Sequence, residues 1–275
     1  MSEESMPLQS GNLLYKYLAV ERISVLTNLM VRFTQLHELN DPYEGRFILE
    51  PLEREREAAL ADGFRAEWAQ VEVFISTTMA ALGVLCLARH PDNEVMWAHY
   101  ASNHQGFVMG IRPELEPFRG PAFIWGEYGS KIDLTHIPGF GSFRGVEYPP
   151  EPYRISFGAE PPLDACFSKT PKWQHEAEVR IFCSIYDATL VLKPSVHLFA
   201  IPPKAIARVI VGAKAAPEVV EAAVAIGQRS EFLSLNIERA VFDQRSMRMA
   251  FRPLEETVPP NPTAPADQKA PLSGR

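Results

Sequence analysis

Apolar and polar positions alternate in short bursts along this chain, and the period of each burst points to an element. Leu13 to Tyr17 reads as a short apolar-aromatic strand. Ile23, Leu26 and Leu29 fall at helical spacing, so Val20 to Leu29 is expected as a short amphipathic helix. Met30 to Thr34 follows as a strand with Val31 and Phe33 on one face. Leu60, Phe64, Trp68 and Val71, set in a charged stretch, predict an exposed amphipathic helix over residues 50–72. Val73 to Thr77 and Gly83 to Ala88 read as strands. Asp92 or Asn93 is placed to cap a helix whose apolar stripe is Met96, Trp97 and Tyr100. Gly106 ends it, and Phe107 to Ile111 is the strand it feeds.

In the second half, Glu176, Glu178 and Arg180 alternate with Ala177, Val179 and Ile181 in a run that opens at Lys172. A strand that buries Val179 and Ile181 turns three charges to its opposite face. That face is either solvated, with cross-strand charge pairing, or it lines a cleft. Ser184 to Leu192 reads as further strand, Arg208 to Gly212 and Glu218 to Gly227 as a strand, a turn and a helix, and Asn236 to Asp243 as a closing strand. Residues 112–165 are rich in Pro and Gly and predict long loops with a hairpin, of the kind that cover a site. Residues 1–11 read as a flexible N-terminus and 253–275 as a Pro-rich disordered tail, leaving 12–252 as a single domain. The fold class expected is α+β, with mixed, mostly antiparallel sheets, short helices and long loops.

Composition narrows the function classes. A chain of 275 residues that is 46% hydrophobic can bury a full core. A net charge of -7 and a pI near 5.6 argue against an extended nucleic-acid surface or an anionic-membrane surface. No apolar run approaches a membrane span, and the polar start does not read as a signal peptide. Cys86, Cys166 and Cys183 lie in apolar settings, which suits buried thiols in a reducing cytoplasm. The expected target is a small molecule or a protein; the sequence carries no sign of oligomeric state. No CxxC or HxxxH pair is present, so no metal is expected; His99 and His104 are pocket candidates for acid-base work, with a hydrogen-bonded structural role as the other reading.

Asn40-Asp41-Pro42 is a turn signature. Either Asn40 and Asp41 simply build the turn, or the turn aims Asp41 or Glu44 at a pocket. Trp97 and Trp173 read as packing residues beside any such pocket.

Three blocks together resemble the bacterial DUF2971 family, which was defined without an assigned function. They are Tyr15-Lys16-Tyr17 with Asn40-Asp41-Pro42-Tyr43-Glu44, then Met96-Trp97-Ala98-His99-Tyr100 with His104-Gln105-Gly106, then Lys169, Trp173 and Glu176-Ala177-Glu178-Val179-Arg180. Many relatives have a Ser-Phe-Ser-type strand where this chain reads Cys86-Leu87-Ala88. More distantly, the block order resembles the ADP-ribosyltransferase architecture, which implies a split sheet and NAD as the cofactor. By that resemblance Glu178 would be the catalytic carboxylate, stabilising positive charge on the ribose as the nicotinamide bond breaks. Glu176 would be its acceptor-side partner. Lys16 and Tyr17 would form the first-strand motif, Tyr100 would stack on the nicotinamide ring, and Arg180 would complete the cofactor-binding set. Such enzymes usually open with Arg or His where this chain has Tyr-Lys-Tyr. A role in phage defence or a toxin–antitoxin pair is the setting that reading suggests.

Two other functions fit the same residues. One is a metal-dependent hydrolase or nuclease-like enzyme, with Asp41, Glu44, Glu176 and Glu178 around a divalent cation. The other is a non-catalytic binding or antitoxin-type module in which Glu178 and Arg180 form a structural ion pair.

Overall fold

The computed structural model describes residues 11–44, 48–50, 79–115, 118, 123–125, 131–133, 139–156, 163–193 and 195–254. In chain order its elements begin with β1 (Leu14–Leu18), α1 (Ser24–Asn28), β2 (Met30–Gln35), β3 (Ile48–Glu50) and β4 (Leu82–Ala88). Next come α2 (Glu94–Tyr100), β5 (Phe107–Ile111), β6 (Phe123–Trp125), β7 (Lys131–Asp133), β8 (Arg144–Gly145) and β9 (Arg154–Ser156). The last third holds β10 (Glu178–Ser184), β11 (Leu190–Lys193), β12 (Val196–Ala200), β13 (Ile206–Val211), α3 (Pro217–Gly227), β14 (Asn236–Asp243) and β15 (Arg248–Pro253). This is an α+β protein built on one mixed, mostly antiparallel open sheet, in the order β11-β12-β2-β4-β1-β5-β13-β14-β15. Within that order only β13 and β14 run parallel, joined by α3 as their crossover.

β4 is the branch point. One edge pairs with β10 along its whole length, from Glu178↔Ala88 to Ser184↔Leu82. The other edge is shared: β2 takes the start through Thr34↔Val84 and Gln35↔Gly83, and β1 takes the end through Tyr15↔Ala88. The sheet therefore forks beside Leu85, Cys86 and Leu87. A fork leaves strand carbonyls without a ladder partner, and buried carbonyls need one. Lys16 Nζ supplies it at Cys86, donating to the carbonyl at 2.8 Å.

Helices close both faces. Val219, Ala223 and Ile226 of α3 join Phe107, Met109, Val209 and Val211 in one core, while Met96 and Trp97 of α2 join Tyr17, Val108 and Ile210 in another. β5 and β13 are thus buried on both sides, which is why they read as nearly continuous apolar runs. Asn93 caps α2 as expected, its Oδ1 accepting from the amides of Val95 at 3.0 Å and Met96 at 3.1 Å. Beyond α2 the chain passes through left-handed conformations at Ser102, Asn103 and His104 before β5. A Cβ on Gly106 would sit 2.1 Å from the Leu18 carbonyl oxygen, so only glycine allows this close approach of the turn to β1.

The segment expected as one strand over Ser184 to Leu192 is broken. Ser184 ends β10, Ile185–Asp187 form a 3-10 turn, and β11 starts at Leu190 against β12. The Ser184 hydroxyl accepts from the Tyr186 amide at 3.4 Å, a local bond that competes with strand continuation. The loop region contains the antiparallel pair β6–β7 and the short strand β8 on β10, while β9 pairs with β3 in parallel. The helix expected at 50–72 lies outside the described residues apart from Glu50, which closes β3, as do the strand at Val73 to Thr77 and nearly all of both terminal segments.

Candidate functional site

Four separate pieces of chain converge at the fork. β1 brings Tyr15, Lys16 and Tyr17, and the turn after β2 brings Asn40 and Glu44. The end of α2 brings Tyr100, and residues 169–180 bring Lys169, Glu176, Glu178 and Arg180. Glu176 does not belong to the strand, as its alternation suggested. It ends a 3-10 helix, Pro171–Glu176, and Ala177 then adopts a left-handed conformation (φ 43°, ψ 51°) before β10 begins at Glu178. Both carboxylates nevertheless reach the same ammonium group. Nor is the charged face solvated: Glu176, Glu178 and Arg180 are all buried.

Arg180 is fully buried and every one of its donors is engaged. Nε and Nη2 grip Glu178 at 2.8 and 2.9 Å, and Nη1 and Nη2 grip Glu44 at 2.8 and 2.7 Å. Nη1 also donates to the Cys166 carbonyl at 2.6 Å. Lys169 Nζ stands among three carboxylates: Glu176 at 2.6 Å, Glu178 at 3.0 Å and Glu44 at 3.2 Å. The Trp173 ring lies 4.9 Å from that nitrogen and stacks in turn on His175. Three carboxylates thus meet two cations, leaving one formal negative charge in a buried cluster.

The neutral partners sharpen the geometry. Tyr100 donates to Glu176 Oε1 at 2.5 Å and accepts from Asn40 Nδ2 at 2.6 Å. Burial and the Glu176 carboxylate push the Tyr100 hydroxyl above its ordinary range, so it stays protonated and remains a donor. The Glu178 amide donates to the Tyr148 hydroxyl at 2.9 Å. Burial pushes the Cys86 thiol up as well, with the Glu178 charge adding to it, so it sits beside the cluster as a neutral group.

A cavity of about 130 Å³ opens at this point. Lys16, Tyr17, Asn40, Glu44, Tyr100, Glu176 and Glu178, all singled out from sequence, line it. The two segments around Asn40 and Glu178 therefore share one cleft. Arg180 lies behind Glu178 rather than on the wall. Asp41 is buried and its Oδ1 caps the Tyr43 amide at 2.9 Å, so it builds the turn. Trp173 covers Lys169 from outside the cavity. Trp97 is buried under α2 and donates from Nε1 to the Pro91 carbonyl at 2.8 Å. His99 is exposed on α2. His104 stacks on Trp97 and meets Phe242 edge-on, and loss of hydration there lowers its pKa, with Lys214 adding to the effect. Neither histidine reaches the cavity.

Tyr15, Thr34, Leu39, Cys86, Met96 and Lys169 were not assigned to the site from sequence, yet they line the same cavity. For Lys169 the only signal was its place in a motif block; for Tyr148, which backs Glu178, there was none. Among the described residues, no group of three or more His, Cys, Asp or Glu is arranged to hold a metal ion. The positions a divalent cation would need between the carboxylates are taken by Lys169 Nζ and the Arg180 guanidinium.

The cluster also makes stability depend on pH. Burial alone would raise the Glu178 carboxyl, but Arg180 and Lys169 override it and hold the group well below its ordinary value of 4.5. A carboxyl depressed in the folded state stabilises fully above its unfolded value and loses that contribution as pH falls through the folded one. Lys169 behaves oppositely. Burial works against its charge, but Glu178, Glu44 and Glu176 raise it above the ordinary 10.5, so its contribution is complete below that value and fades at higher pH. Thermal unfolding scanned in acid is expected to show a midpoint that drops below about pH 4.5. Glu178→Gln should flatten this limb; an identical limb in both proteins would place the acid sensitivity elsewhere.

No family model, curated protein or solved structure matches the chain. No helix of the described residues is long and apolar enough to cross a membrane.

Proposed function

We propose that the fork cavity takes the nicotinamide end of NAD+ and that the protein breaks its glycosidic bond, passing ADP-ribose to an acceptor or to water. The observation that carries this reading is a ring-sized cavity, walled by Tyr15, Tyr17 and Tyr100, beside a buried cluster that presents the Glu176 and Glu178 carboxylates to it. A cavity near 130 Å³ is comparable to those that hold a single aromatic ring. Tyrosine rings and the Glu176 carboxylate both favour a pyridinium cation, while the Lys16 ammonium on the same wall is held by the Cys86 carbonyl. As the C–N bond breaks, its electron pair passes to the ring nitrogen and the positive charge moves to the ribose. A carboxylate near that sugar stabilises the change. Glu176 is better placed for this than Glu178, because both Glu178 oxygens are held by Arg180, whereas Glu176 has Tyr100 on one oxygen and Lys169 on the other. The more distant resemblance of the block order to the ADP-ribosyltransferase architecture supports the same reading.

The test is nicotinamide release from labelled NAD+, run on wild type and Glu176→Gln with folding checked for each. Wild type is expected to release nicotinamide, and the variant to fold and release it at least about 100-fold more slowly. Absence of both NAD+ binding and release would sink the proposal. Binding without release would favour the second reading, a module that holds the ligand without turning it over. The saturation of Arg180 by Glu44 and Glu178 is the specific observation behind that alternative.

A further inference from the structure

We propose that Lys169 is a positioning residue that keeps Glu176 negatively charged toward the cavity, an inference that rests on the NAD+ reading above. The three carboxylates around its ammonium are not equivalent. Glu44 and Glu178 each hold Arg180 through two hydrogen bonds, whereas Lys169 is the single cation paired with Glu176 among the described residues. The other hydrogen bond to Glu176 comes from the neutral Tyr100 hydroxyl.

Every element packed here contributes a charged or titratable group. Lys16 comes from β1, Glu44 from the turn after β2, Cys86 from β4 and Tyr100 from α2. Tyr148 backs Glu178 on β10, where Arg180 closes the set. Without the Lys169 ammonium, the three buried carboxylates would keep the Arg180 guanidinium and, on the cavity wall, the Lys16 ammonium held by the Cys86 carbonyl. Crowded like charges in a desolvated site resolve themselves by taking up a proton, and the set titrates as a unit. Among the described residues Glu176 is the carboxylate left without an ion pair, so it loses most from the change. A neutral carboxylic acid there offers nothing to a pyridinium ring or to positive charge growing on the ribose. The Trp173 ring meets the Lys169 ammonium itself at 4.9 Å, so Lys169→Met loses that contact with the charge while Lys169→Arg can keep both.

Lys169→Met, Lys169→Arg and the double variant Lys169→Met/Glu44→Gln separate charge from packing. Two readouts apply: carbon-13 titration of the glutamate carboxyls in the ligand-free proteins, and NAD+ affinity against pH. In Lys169→Met the carboxyl cluster is expected to take up its proton at higher pH than in wild type, with NAD+ binding weakened roughly tenfold below that limb. Lys169→Arg keeps the charge and should behave as wild type. The double variant restores the original charge balance and should return the limb toward wild type, and it decides the matter if Lys169→Met alone does not fold. An unshifted limb in Lys169→Met, or a double variant as perturbed as the single one, would overturn the inference. If wild type binds no NAD+, the NAD+ reading fails while the carboxyl titration still decides the role of Lys169.

Discussion

Replacing Arg180 by methionine is expected to destabilise the protein by about 3–5 kcal/mol, the usual range for removing one partner of a buried ion pair. Methionine fills much of the same volume, so the loss comes from charge rather than from a cavity. Glu44 and Glu178 would keep only Lys169, and the Cys166 carbonyl would lose its donor. With typical domain stabilities of roughly 5–15 kcal/mol, a loss of this size removes a large fraction of the total. Urea unfolding of wild type, Arg180→Met and Arg180→Met/Glu178→Met measures it. The double variant should recover part of the loss, because two partners removed together leave fewer uncompensated charges than one. A single-variant loss below about 1 kcal/mol would mean that water enters the cluster and screens it.

This network explains what sequence could and could not show. β5 and β14 match the strands expected at Phe107 to Ile111 and Asn236 to Asp243 residue for residue, and Asn93 caps α2 as its type and position suggest, because those signals are local. In the run from Lys172 the charges are legible, but the alternation gives the wrong geometry at its start. Alternation placed Glu176 on the strand, while the chain is still in a 3-10 helix there, with Pro171 opening it. Nothing about alanine announces that Ala177 will take a left-handed conformation. The fork at β4 was equally hidden from local reading, since it depends on β1 and β2 sharing one strand edge more than forty residues away in sequence. Lys169 and Glu44 are likewise joined only by tertiary packing. A lone lysine in a loop looks like a solvated charge until Glu176 and Glu178 from farther along its segment and Glu44 from the turn after β2 close around it.

Trp97→Ala is the other substitution expected to cost about 3–5 kcal/mol, the range for emptying a buried aromatic site. Trp97 is fully buried, its ring meets Tyr17 edge-on at 5.6 Å and stacks on His104 at 6.1 Å, and its Nε1 satisfies the Pro91 carbonyl. Trp97→Phe should cost less, keeping an aromatic body but leaving that carbonyl unpaired, a penalty of about 1–3 kcal/mol. The consequence reaches the site because α2 is only two turns long and carries both partners. Trp97 anchors the helix to Tyr17 of β1, and three residues later Tyr100 delivers its hydroxyl to Glu176. A helix this short draws its stability from packing rather than from propensity. Hydrogen exchange in Trp97→Phe should therefore rise first in the α2 amides, while the amides of β5 and β13, buried on both faces, stay protected. Uniform loss of protection across the sheet would instead make Trp97 a determinant of the whole fold, with no local link to the placement of Tyr100.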